Sequence, residues 1–195
     1  MPITLEEPRT PGLPVVKRTA LGQTFVGAIV DKQQRPLMKD NQPVLRDDGK
    51  PRQELVVTLV AMPGTTAPAG IGETTGTPAP GDLVRLILRG GAYGDWIEAT
   101  RQLGRGINVG DVVEQTTTHG QAYSATGAPS GPKLTTQAQI DAVPRSQALG
   151  IYGPITIRAA APGEASWVTA AESAYHARKQ QAAIALDAAP SVDPF

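Results

Sequence analysis

The chain has 195 residues, room for one core with extensions, since domains usually run to about 100–200 residues. Its 18 prolines and 21 glycines punctuate it heavily, yet 40% of residues are hydrophobic, too many for a wholly disordered polymer. The absence of cysteine excludes disulfides, thiolate metal sites and thiol nucleophiles, and 18 Lys plus Arg against 18 Asp plus Glu give a formal charge of zero, with no global basic field for a polyanion.

Residues 1–19 carry Pro2, Pro8, Pro11 and Pro14 among polar side chains, which leaves few donors for a helix or ladder, and they read as a flexible arm. They lack the basic start and apolar run of a signal peptide, and no stretch is apolar enough to cross a bilayer, so a cytoplasmic protein without a membrane partner is expected. Residues 22–30 (GQTFVGAIV) are β-rich and give a first strand, with Gly27 marking a bulge or bend. Residues 31–53, with Pro36, Pro43, Pro51 and the turn DDGK at 47–50, read as a long loop. Residues 54–62 (ELVVTLVAM) form a second strand with Leu55, Val57 and Leu59 on one face.

Residues 63–81 are a Gly/Pro/Thr/Ala linker too poor in bulky side chains to join a core, and a mobile hairpin tip is expected there. In residues 82–89 (DLVRLILR) alternation sends Val84, Leu86 and Leu88 one way and Leu83, Arg85, Ile87 and Arg89 the other. Residues 92–105 place Trp96, Ile97, Thr100 and Leu103 at helical spacing before Gly106, and a turn at 108–111 feeds a fourth strand over 112–118. Residues 121–150 are loop-like, and residues 154–160 offer a fifth strand through Ile155 and Ile157. Residues 164–186 are alanine-rich and helical, with Trp167, Ala171, Ala174, Tyr175 and Arg178 forming a stripe that packs on the barrel or on another subunit. The divisions are therefore an arm at 1–19, a domain at 20–161, a helix at 162–186 and a tail at 187–195.

A mainly β chain of five strands, with a short helix between the third and fourth, has the layout of the OB-fold, a five-stranded, partly open barrel. The segments GQTFVGAIV, DDGKPRQELVVTL, LVRLILRG and GRGINVGDVV add to this. Together they resemble the single-stranded DNA-binding proteins encoded by phages of actinobacteria, over roughly residues 21–118. The resemblance implies an OB-fold and sequence-independent binding of single strands. Residues 121–195 are longer than the corresponding part of that family. The ending Asp193-Pro194-Phe195 is similar to the Pro-Phe close of bacterial single-stranded DNA-binding proteins, which docks on replication and repair partners, although only Asp187 and Asp193 are acidic nearby.

Strand binding needs cations along the phosphates and flat side chains for stacking. Arg85 and Arg89 are the sharpest candidates; the plain alternative is a solvated strand face with a cross-strand acid such as Glu54. Lys50 and Arg52 before the second strand, and Lys32, Arg35 and Arg46 in the long loop, extend the set, and His119 and Tyr123 follow the fourth strand. Tyr152 is a similar loop aromatic, Phe25 is a platform or core, Trp96 belongs to the core and Tyr93 is a candidate cap. His119 and His176 fit no metal-ligand pattern, GRGINVG follows its helix instead of opening it, and Asp47-Asp48 reads as turn chemistry. No catalytic residue, metal or cofactor is assigned.

The expected function is single-stranded DNA binding and protection in phage replication or recombination, with a tail of Asp193, Pro194 and Phe195 that recruits replication or recombination proteins, and with room for a homo-oligomer. The alternative is a virion structural or assembly protein whose barrel and arms contact neighbouring subunits, which zero charge, 4% aromatic residues and long arms favour.

Overall fold

The computed structural model describes residues 12–46, 48–72, 74–124 and 129–187. The tail residues Asp193, Pro194 and Phe195, Asp47 of the turn, and residues 1–11 of the arm lie outside the described residues. In chain order the elements are β1 (Val15–Val16), β2 (Thr24–Pro36), β3 (Met38–Lys39), β4 (Gln42–Pro43), β5 (Gln53–Ala61), β6 (Ala69–Ile71), β7 (Thr74–Gly76) and β8 (Leu83–Leu88). Helix α1 (Gly91–Leu103) follows, then β9 (Val112–Thr116), β10 (His119–Tyr123), α2 (Gln137–Asp141), β11 (Ala148–Tyr152), β12 (Ile155–Arg158) and α3 (Ala165–Asp187).

Eight strands form one open sheet in the order β12-β9-β2-β5-β8-β1-β6-β7. Its pairs are antiparallel except β1 with β8, where Val15 lies beside Arg85 in parallel. The five-stranded, partly open OB barrel expected from the sequence is therefore not formed; a large open sheet of eight strands stands in its place. Among the described residues β12 pairs only with β9. The edge of β8 is taken instead by β1, with the Arg85 amide donating to the Pro14 carbonyl at 2.8 Å. Proline lacks a donor but keeps its acceptor, so the proline-rich segment still supplies what this edge needs. Side chains fill the gap that a ladder would have closed: α1 packs on β12, and Trp96 shares one core with Leu86, Leu88, Ile155 and Ile157.

Alternation splits the apolar residues of β2 between two layers. Phe25 and Ile29 join Leu55, Val57, Leu59, Val84, Leu86 and Leu88 beneath α1, whereas Ala28 and Val30 join Val60, Met62 and Val112 beneath Ala171 of α3. Strand β5 is thus buried on both faces, and burying each Val or Leu contributes about 1.5–3 kcal/mol. Phe25 is core, not a stacking platform, at 1% exposure. Trp167, Ala174 and Tyr175 pack against the second layer, so the alanine-rich helix covers its own sheet. Gly110 permits this approach, because a Cβ there would come within 2.6 Å of Val168 on α3.

Three expected loops carry structure. Strand β2 continues past a bulge between Ile29 and Asp31 to Pro36, paired with β5, and the β3–β4 hairpin extends the resulting exposed ribbon. The bulge lies beyond Gly27, whose missing Cβ instead makes room for the Phe25 ring. The supposed linker supplies β6 and β7 and buries Ala67 and Ala69 in the core, because a sheet margin lying close needs small side chains. The segment after β9 forms the β10–β11 pair, and α2 is closed at its start by a capping box between Thr136 and Gln139.

Candidate functional site

Glu54, the second residue of β5, is only 3% exposed and is gripped from both sides. Register places Arg35 of β2 directly opposite it, and the pairing of Leu55 with Leu88 brings Arg89 alongside. The Arg35 Nε donates to Glu54 Oε1 at 2.7 Å and the Arg89 Nε to Oε2 at 2.6 Å. A buried carboxylate needs such partners, and here two cations share one anion, leaving net positive charge at the surface. Arg35 and Arg89 remain 44% and 57% exposed, and among the described residues their Nη groups make no hydrogen bond, so each fork keeps donors for a ligand.

Of the other candidates, Arg85 lies on the same strand face as Arg89 but is partly covered, its Nη2 donating to the Leu13 carbonyl at 3.1 Å and its buried Nε lacking a partner among the described residues. Burial, then the neighbouring guanidiniums of Arg35 and Arg178, lower its pKa. Lys32 pairs with Val57 and so belongs to the opposite face from Arg35. Arg46 and Lys50 frame the ribbon turn, where the Arg46 amide donates to the Lys50 carbonyl and the Lys50 amide to the Asp48 carboxylate. Arg52 closes the ribbon through its carbonyl, which accepts from the Leu37 amide. The structure thus brings together Arg35, Arg85 and Arg89 and leaves Arg46, Lys50 and Arg52 along the ribbon.

Beyond Arg89 a cleft of about 490 Å³ opens between β1 and β11. Lys17, Arg18, Ile87, Arg89, Leu149 and Tyr152 are among its walls. Arg18 donates through Nη2 to the Ile87 carbonyl at 3.0 Å, while its buried Nη1 has no partner among the described residues, and burial lowers its pKa. Tyr152 lies opposite His119 across the β10–β11 pair, their ring centres 6.0 Å apart, and its hydroxyl bonds that of Tyr123 at 2.8 Å. The ring reaches Tyr123 by lying across Gly150, where any Cβ would overlap it. Burial, then the hydrogen bond shared with the Tyr123 hydroxyl, raise the Tyr152 pKa, so the ring stays a neutral phenol at ordinary pH.

Of the sequence candidates the cleft takes Arg89 with Tyr152, while His119 and Tyr123 only touch the Tyr152 ring and are not among its walls, and it adds Lys17 and Arg18, which the sequence did not single out. Their signal was the run Val15-Val16-Lys17-Arg18, an apolar β-branched pair followed by two cations inside a segment dismissed for its prolines. Among the described residues no group of three His, Asp or Glu side chains could hold a metal ion, and no helix is long and apolar enough to cross a membrane. Comparison with protein-family models, with curated proteins and with solved structures gave no match.

Proposed function

We propose that the chain binds single-stranded DNA without sequence preference, its backbone running over Arg35 and Arg89 and on into the cleft, in the service of phage replication or recombination. The observation that carries this reading is the double position of Arg89, held by Glu54 beside Arg35 while it also lines the cleft with Lys17, Arg18 and Tyr152. Cations for phosphates and a fixed aromatic ring for bases are the two components that sequence-tolerant strand binding requires. The resemblance of residues 21–118 to phage single-stranded DNA-binding proteins points the same way.

The test is a salt titration with a thirty-base oligothymidylate. If Arg35, Arg89 and Lys17 each neutralise one phosphate, log affinity falls with log salt at a slope of about −2, which is roughly a 20-fold loss between 50 and 200 mM salt. Duplex DNA of the same length competes poorly. No binding to the single strand at low salt refutes the proposal.

A further inference from the structure

We infer that the cleft between β1 and β11 receives one unstacked nucleotide of the bound strand, its base against Tyr152 and its phosphate at Lys17 and Arg89; this deepens the strand-binding reading above and rests on it. The volume of about 490 Å³ lies within the ~300–1,000 Å³ of small-molecule pockets. Its walls mix the two chemistries of a nucleotide: Val16, Ile87, Leu149 and Ile151 are apolar, and Lys17, Arg18 and Arg89 are cationic. The aromatic wall is set before any ligand arrives, because the Tyr152 hydroxyl is tied to Tyr123 and its ring is laid over Gly150. A preset ring loses little freedom on stacking.

Arg18 supplies the second observation. Its Nη1 is shielded from water and has no acceptor among the described residues, and a buried charged donor left unpaired is costly. An oxygen of the nucleotide, on base or phosphate, would complete it after a small displacement of the neighbouring cleft wall. A paired base in a duplex keeps its faces inside the stack, so the cleft also gives a reason for preferring single strands.

The test uses the full chain and an oligothymidylate carrying one 5-iododeoxyuridine, irradiated and mapped by mass spectrometry, with anisotropy titrations run alongside. The expected result is a cross-link at Tyr152 that excess thymidine monophosphate suppresses. Tyr152→Phe keeps the ring and retains the cross-link; Tyr152→Leu loses it and weakens the strand roughly 5- to 150-fold, the range for one stacked base. Cross-links confined to other residues, with strand affinity intact, overturn the nucleotide cleft and leave strand binding standing. Absence of any binding by the wild-type chain overturns both.

Discussion

Removing the Arg89 side chain isolates the junction between the cation pair and the cleft. In Arg89→Ala, Glu54 keeps its 2.7 Å bond to Arg35, so its buried carboxylate is not left bare. Arg89 is itself 57% exposed, and solvent screening limits the stability it contributes to ~1 kcal/mol or less. The effect on a strand is larger, because a hydrogen bond to a charged group contributes about 1.5–3 kcal/mol, or roughly a 10- to 150-fold loss of affinity. The salt slope should also flatten by about 0.7, one phosphate fewer. Arg89→Lys restores the charge without the planar fork and should recover the slope but only part of the affinity. Fluorescence anisotropy at four salt concentrations, with thermal melting as the control for folding, measures both quantities. Wild-type affinity and slope in a folded Arg89→Ala protein would refute the placement of the strand.

Gly150→Ala puts a methyl group where the Tyr152 ring lies, so it should expel the ring and reduce strand affinity; wild-type affinity in the same titration contradicts the preset ring. Glu164, chelated by Arg158 and by the Ala161 amide, has its pKa pushed down from 4.5 to about 2. A depressed folded-state value means that the stabilisation is complete above the unfolded value and lost as pH falls towards 2. Melting temperature should therefore fall less steeply between pH 4.5 and 2 in Glu164→Gln than in wild type, and parallel curves count against it. Deleting Asp193, Pro194 and Phe195 should leave strand affinity unchanged but abolish recovery of a replication protein from infected-cell extract, and equal recovery from both forms makes the ending incidental.

What the sequence disclosed follows the strength of the local signal. Strand β8 was legible because Val84, Leu86 and Leu88 alternate with polar or less buried neighbours, and the structure buries those three completely. Helix α3 was legible because its alanine-rich run is a strong helix former. The ribbon at 31–53 was not, since residues 31–36 themselves have no buried face and hence no periodicity: all are exposed and are held by backbone bonds to the buried strand β5. Strands β6 and β7 were hidden for the opposite reason. Ala67 and Ala69 are buried, but their small side chains look like linker until a close-packed neighbour is known. Helix α2 was readable in principle, because Thr136 and Gln139 have capping-box spacing, but the glycines and prolines around it dominated. Closure was the deeper failure: strand order does not say which segment reaches the edge of β8, and a two-residue strand from the supposed arm took it.

Formal neutrality looked like an argument against a polyanionic partner, and the geometry shows why the sum is a poor guide. The acids do not neutralise the arginines evenly. Asp111 takes both Nη groups of Arg105 at 2.7 and 2.8 Å, and Glu164 takes both Nη groups of Arg158 at 2.6 and 2.7 Å, so those forks are occupied. Glu54 holds Arg35 and Arg89 by Nε alone, and one carboxylate serves two cations. Donor availability, not charge count, then decides which arginines can meet a phosphate. Arg158→Ala removes the same formal charge as Arg89→Ala from a residue of comparable exposure, 43% against 57%. If strand binding responded to net charge, the two variants would lose affinity and slope alike. Because the Arg158 fork is already occupied, Arg158→Ala should titrate like wild type, within a factor of about two, while Arg89→Ala loses one phosphate contact from the slope. Equal losses from both, measured in the same buffer series, would mean that the strand is held by a diffuse field and not by the Arg35–Glu54–Arg89 junction.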